Sequence, residues 1–380
     1  MKILFVTNYF PKKGGLQEAM FLFWRAKYLK SMGHEVSVLK WDQDIKDVMK
    51  KPYNILDLNE PILDEDIVVD RVHKLKLINP FFRQRLYKKI KKNYDVVHFH
   101  WLWSMSVLPE INKWGIPFVV TCHGSDIYRM GEALNNISLG RYINKKVMTA
   151  QMKPLNQANH VIFVSNDIQN VAKTKGAKPN AESVIPNGFN DDLFNINNRS
   201  KRSEITVGFI GNLIPVKRAD KLPDIIDHIW QHDTTIKFII IGDGHLRNKI
   251  EKDCAKFQGE VKFTGKISPQ DVAAHLKNMD ILMIPSRFEA FGCVIKEAQA
   301  CGTMVVGSNN GGIPAVIGQG GAIVEDGDHF EERFALQVLN LIKTPLEQSL
   351  VTAAAKDYSW SETVKKELQI YQSIISLGVK

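Results

Sequence analysis

Hydrophobic positions fall along this chain in two alternating textures. KILFVTN, HEVSVLKW, DVVHFHWL, PFVVTCHG and HVIFVS are short β-branched runs, and between them lie longer segments such as LQEAMFLFWRAKYLKSMG with apolar residues at helical spacing. Strands alternating with helices predict a parallel sheet covered on both faces. The pattern then restarts in other words: ITVGFIGN, IKFIIIGDG, VKFTGK, ILMIPS, TMVVGS and GAIVE read as strands, with ADKLPDIIDHIWQH and PQDVAAHLKNM as helices between some of them. Residues 185–204, IPNGFNDDLFNINNRSKRSE, are rich in Asn, Gly and charge and predict a hinge. The expectation is an α/β chain of two Rossmann-like, doubly wound domains facing each other across a cleft. The first spans residues 1–196 and the second 197–360, and the amphipathic tail, about 361–380, packs back on the first. Ligands of such sheets bind at the carboxyl ends of the strands, so loops that follow strands are where chemistry is expected.

Composition narrows the class. With 380 residues, 44% hydrophobic and 24% charged, the chain is an ordinary globular protein with room for two cores. Cys122, Cys254, Cys293 and Cys301 lack CxxC spacing, so neither a disulfide framework nor a zinc site is suggested. The opening MKILFVTNYF is too short for a signal-peptide core, and no apolar stretch reaches the roughly 20 residues that span a bilayer. The expectation is a cytoplasmic protein. Net charge is +9, and its placement is uneven: residues 1–196 hold 28 Lys plus Arg against 19 Asp plus Glu, leaving 22 against 22 for the remainder.

One stretch stands out chemically. EAFGCVIKEAQACG, residues 289–302, follows the strand ILMIPS and plants Glu289 and Glu297 among apolar and small residues. Glu289 is predicted in the loop, Glu297 on the helix that follows, and Gly302 in the capping position at its end. Backbone amides around Phe291, Gly292 and Cys293 open the helix and suit an anion. Carboxylates on either side would repel a phosphate but accept well from sugar hydroxyls, so a ligand combining diphosphate with two sugars satisfies all three groups. That ligand is a nucleotide-sugar.

Here the sequence resembles the retaining GT-B glycosyltransferases of family 4, whose Glu-x7-Glu signature matches Glu289 and Glu297. The resemblance is dense over residues 205–324 and looser before. It implies that Glu289 lies against the hydroxyls of the transferred sugar and that Glu297 holds the nucleotide ribose. GFIGNLIPVKRAD, residues 208–220, resembles the segment in which an Arg and a Lys five positions later clasp the diphosphate; Lys217 matches, Asn212 stands where Arg is usual, and Arg218 is the candidate substitute. Gly14 and Gly15 resemble the glycine turn that faces the donor phosphate from the first domain. TCHGSD places His123 where the family's histidine sits beside the donor sugar, while His98 and His100 read as packing residues. FTGKIS places the backbone around Ile267 near the nucleobase.

The resemblance further implies transfer with retention of configuration, no cofactor and no metal site. UDP-sugars are the first expectation for the donor, and a glycan or lipid-linked glycan for the acceptor, as in cell-surface polysaccharide or glycolipid synthesis. NPFFRQRLYKKIKKNYD, residues 79–95, sets Phe81, Phe82, Leu86, Tyr87 and Ile90 among Arg83, Arg85, Lys88, Lys89, Lys91 and Lys92. Such an amphipathic basic element makes an anionic inner membrane face a candidate partner and the chain a candidate peripheral protein. Nucleic acid is not expected, since no binding motif accompanies the charge. Two other readings stay open: a nucleotide-sugar epimerase or phosphorylase on the same fold, and a catalytically silent sugar- or membrane-binding subunit.

Overall fold

The computed structural model describes residues 1–11, 19–42, 67–73, 79–128, 152–199, 204–257 and 259–378. They divide into two compact units, Met1–Pro186 with Ser361–Lys380, and Asn187–Trp360.

In the first unit the strands are β1 Lys2–Thr7, β2 Glu35–Asp42, β3 Val68–His73, β4 Val96–His100, β5 Phe118–Cys122, β6 His160–Phe163 and β7 Glu182–Val184. They form one parallel sheet in the order β3-β2-β1-β4-β5-β6-β7, so the winding reverses between β1 and β4. β4 and β5 are buried at every position, as strands covered on both faces must be. The helix Met20–Ser31 buries Leu22, Phe23, Arg25, Ala26 and Leu29, one stripe at helical spacing. Val364, Tyr371 and Ile374 of the last helix, Trp360–Gly378, join the same core. An ion pair of Arg25 and Glu367, 3.2 Å apart and both without exposed side-chain surface, lies among them.

In the second unit the strands are β8 Thr206–Ile210, β9 Lys237–Ile241, β10 Val261–Gly265, β11 Ile281–Ile284, β12 Met304–Ser308 and β13 Gly321–Val324. This sheet is also parallel, in the order β10-β9-β8-β11-β12-β13, and reverses between β8 and β11. Its core gathers Phe209, Ile225, Phe238, Met283 and Phe334.

The unit boundary lies at Pro186/Asn187, ten residues before the expected one, and residues 187–199 are not a free hinge. Phe189 donates its N–H to the Tyr358 carbonyl at 2.9 Å, and Trp360 returns one to the Phe189 carbonyl at 3.0 Å. The Arg199 guanidinium donates to the carbonyls of Leu276 and Cys301 at 3.2 Å and of Met279 at 2.9 Å. One long side chain thus satisfies carbonyls at the ends of two helices, Pro269–Leu276 and Cys293–Ala300, and fastens the segment to the rest of the second unit.

Candidate active site

Four loops of the second unit meet at the carboxyl ends of β8, β11, β12 and β13, around the reversal of the winding. Lys217, after β8, forms an ion pair with Glu289, after β11, and both side chains are largely buried. Ser286 Oγ donates to the same Glu289 oxygen at 3.1 Å. Arg287 locks the two loops together: its N–H donates to the Val216 carbonyl at 2.9 Å, and its guanidinium grips both Asp220 oxygens at 2.9 and 3.1 Å. This bidentate geometry is the strong form of the contact, and it holds the Asp220 carboxyl below its ordinary range although burial pushes the other way.

The loop after β12 supports Glu289 from behind. Gly312 donates its N–H to the Glu289 carbonyl at 2.8 Å. Gly311 has a φ of +58°, and a Cβ there would stand 2.5 Å from the same carbonyl oxygen, so only glycine permits the approach. The segment GSNNGGIPAVI, residues 307–317, carries this support, and its signal in the sequence is the pair of glycines beside a strand end.

The helix Cys293–Ala300 starts from Gly292, whose φ of 75° is left-handed, with no side-chain cap and no acidic residue in the first turn. Its first amides lack intrahelical acceptors, so the helix start is suited to an anion. Glu297 stands one turn further on, half-buried, and burial pushes its carboxyl up to about 7. Burial likewise pushes the Cys293 thiol up to about 12, aided by the charge of Glu297, so the thiol is inert. Phe291 is buried and stacks on Tyr358 at 5.9 Å. Beneath that ring, 4.2 Å from its centroid, lies the buried ammonium of Lys296, which donates to the Ala354 carbonyl at 2.6 Å. Sequence reasoning missed Lys296 and Tyr358, which carry no local motif.

Other candidates fall differently. Arg218 does not complete the clamp beside Lys217: it donates to Asp326 at 2.7 Å and lies 3.9 Å over the Phe330 ring, because adjacent residues of a tight turn point apart. Asn212 is exposed on the turn after β8, and Ile267 is half-buried, just before the helix Pro269–Leu276.

In the first unit His123 follows β5 and is nine-tenths buried, against Trp101 at 4.7 Å and Phe21 at 4.8 Å between ring centroids. Its Nε2 lies 3.2 Å from His100 Nδ1. Burial, then the charge of Arg25, pushes the His123 imidazole well below its ordinary range, so it is neutral at neutral pH. His98 is fixed between the Tyr371 hydroxyl at 2.5 Å and the Thr121 hydroxyl at 2.6 Å, a packing role. Gly14 and Gly15 lie outside the described residues.

The basic element is the helix Pro80–Asn93, capped by Asn79, which accepts from the amides of Phe81 at 3.0 Å and Phe82 at 3.3 Å. Its apolar stripe is divided. Tyr87 and Ile90 are buried in the protein, Tyr87 stacked on Trp114 at 5.2 Å, and are not available to a membrane. Phe81 is 82% exposed, as the side chains of Arg85, Lys88, Lys89, Lys91 and Lys92 are exposed; Arg83 is half-buried. Among the described residues no helix is long and apolar enough to cross a membrane, and no three His, Cys, Asp or Glu side chains converge as a metal would need.

Comparison with known proteins places this geometry. The profile of Glycosyltransferase Family 4 matches residues 25–193, and that of Glycosyl transferases group 1 matches residues 204–344. An uncharacterized glycosyltransferase of Methanocaldococcus jannaschii is 28% identical over 98% of this chain and 99% of its own. The gpi3 subunit of phosphatidylinositol N-acetylglucosaminyltransferase from Schizosaccharomyces pombe is 24% identical over 97% of this chain and 79% of its own. The fold matches that of Anabaena HepE in complex with UDP, with a TM-score of 0.73 and 19% identity over 98% of this chain and 100% of that one. HepE in complex with UDP-glucose matches with a TM-score of 0.70 and 19% identity over 99% and 100% of the two chains. Two parallel doubly wound sheets, a site at the strand ends of the second and a matching profile on each half give one conclusion: the chain is a GT-B protein and belongs to the group 1, family 4 glycosyltransferases.

Proposed function

We propose that the protein transfers a hexose-type sugar from a UDP-sugar to a glycan or lipid-linked glycan, with retention of anomeric configuration and without a metal. The observation that carries this reading is the Lys217–Glu289 pair beside the open helix start at Gly292, with Glu297 beyond it. Lys217 and the helix amides neutralise the diphosphate, Glu289 accepts from the sugar hydroxyls and Glu297 from the ribose. The anomeric carbon breaks its bond to the phosphate oxygen and bonds the acceptor oxygen on the same face, and the acceptor proton passes to the leaving phosphate. Charge on that phosphate is what Lys217 stabilises as the bond breaks. HepE, a fold relative with UDP and UDP-glucose complexes, supports uracil as the base. The phosphatidylinositol-modifying relative supports an acceptor borne on lipid. The exposed cations of Pro80–Asn93 support attraction to an anionic cytoplasmic membrane face, which would make the protein peripheral there.

The test is product analysis. Incubation with UDP-glucose, UDP-N-acetylglucosamine and GDP-mannose over a panel of glycan and lipid acceptors should give UDP release and a product whose anomeric coupling matches that of the donor. Inversion rejects the mechanism, and release of no nucleotide from any donor rejects the activity.

A further inference from the structure

Arg218 occupies a costly position. Its backbone is left-handed, φ 52° and ψ 32°, a region a non-glycine residue enters at a cost of about 1 kcal/mol. The side chain, 9% exposed, is buried against Phe330 and gives its charge to Asp326. Asp326 in turn accepts from Asn310 Nδ2 at 3.0 Å and from the Gly327 amide at 3.0 Å. Asn310 directly precedes Gly311 and Gly312, the two glycines that press on Glu289. A closed circuit results: Lys217 pairs with Glu289, Glu289 rests on Gly312, Asn310 is tied to Asp326, and Asp326 holds Arg218, the neighbour of Lys217.

We infer that Arg218 and Asp326 are positioning residues, a strut between the loops after β8, β12 and β13 that sets the placement of Lys217 against Glu289. The inference rests on the proposed function and deepens it. It differs from a phosphate-binding role for Arg218, whose second terminal nitrogen, Nη1, is buried and carries no hydrogen bond. The geometry favours the strut because the guanidinium is already flanked by a carboxylate and an aromatic face. A misplacement of catalytic groups by about 1 Å costs up to about a hundredfold in rate.

Arg218→Gly is the informative variant, because glycine takes the left-handed backbone without strain, and Asp326→Asn is the isosteric second one. UDP affinity is measured by titration calorimetry and turnover by UDP release from UDP-glucose. Turnover should fall about tenfold in each variant, any loss of UDP affinity should vanish once Lys217 is already replaced by Ala because it is transmitted through that ammonium, and the double variant should be no slower than either single one. A tenfold loss of UDP affinity on adding Arg218→Gly to Lys217→Ala would instead make the arginine a phosphate ligand and overturn the strut. So would full turnover in either variant, or losses that multiply in the double variant. Failure of the parent chain to bind UDP at all would remove the proposed function, and the strut with it, before any variant is compared.

Discussion

Lys217 and Glu289, 72 positions apart, hold each other's charge at the mouth of the second sheet. A phosphate that recruits Lys217 must compete with Glu289 for the ammonium. The two side chains therefore act in opposite directions on nucleotide binding. Lys217→Ala should weaken UDP binding about ten- to a hundredfold, the loss of one charged hydrogen bond of about 1.5 to 3 kcal/mol. Glu289→Ala should leave UDP affinity equal or tighter while sugar transfer collapses. Calorimetry with UDP beside an assay of transfer checks both; parallel losses of affinity in the two variants would reject the assignment.

The carboxyl of Glu297, lifted to about 7 by burial, makes donor binding sensitive to pH. The ionised form is the better acceptor for ribose hydroxyls, so a bound donor favours deprotonation. Affinity for UDP-glucose, whose diester phosphates do not titrate in this range, should rise between about pH 6 and pH 8 and level off above. Binding near neutrality should release a proton, seen as a buffer-dependent heat, and Glu297→Gln should abolish both effects. Glu297→Ala should weaken binding about ten- to a hundredfold.

Gly311 is predicted to be intolerant of a side chain. Gly311→Ala must both hold φ at +58° and fit a Cβ 2.5 Å from the Glu289 carbonyl and 2.9 Å from the Phe288 ring. The expected cost is about 1 to 3 kcal/mol of stability, with transfer lost beyond what unfolding explains because Glu289 is displaced. Thermal unfolding and turnover, measured on the same preparation, separate the two.

The helix Pro80–Asn93 presents a cationic face and one exposed aromatic ring, the features that the proposed membrane contact uses. Sedimentation with vesicles should show binding that grows with anionic lipid and weakens with salt. Lys88→Glu with Lys92→Glu should remove most of it, each lost cation contributing about 1 kcal/mol before reversal is counted, and Phe81→Ala should weaken it further. Binding that ignores lipid charge would reject a membrane role for this face.

Arg25 and Glu367 are both fully buried, so breaking the pair is worse than removing it. Glu367→Ala should destabilise by about 3 to 5 kcal/mol, whereas Arg25→Met with Glu367→Leu should recover much of that loss. Denaturant unfolding of the single and double variants decides the matter.

The features visible in the sequence are those with local signatures. Strand alternation marks both sheets, and the glycine between two glutamates marks the start of Cys293–Ala300. What escaped was long-range hydrogen bonding. Nothing near Arg218 announces Asp326, 108 positions on, and nothing in the Asn- and Gly-rich run to Ile196 shows that Arg199 will seek carbonyls 77 to 102 positions away. An amphipathic stripe such as Leu86, Tyr87 and Ile90 reports that a face will be covered. Whether protein or lipid covers it depends on Trp114, a partner the stripe does not encode.

The split make-up of the first unit also ties its completion to residues 361–380. Residues 187–360 form an uninterrupted folding unit that can close as soon as it leaves the ribosome. The earlier-made half is incomplete without the last helix, which supplies Val364, Tyr371 and Ile374 to its core and the carboxylate that pairs with Arg25. The half synthesised first thus draws part of its interior from residues translated only after the whole of the second unit.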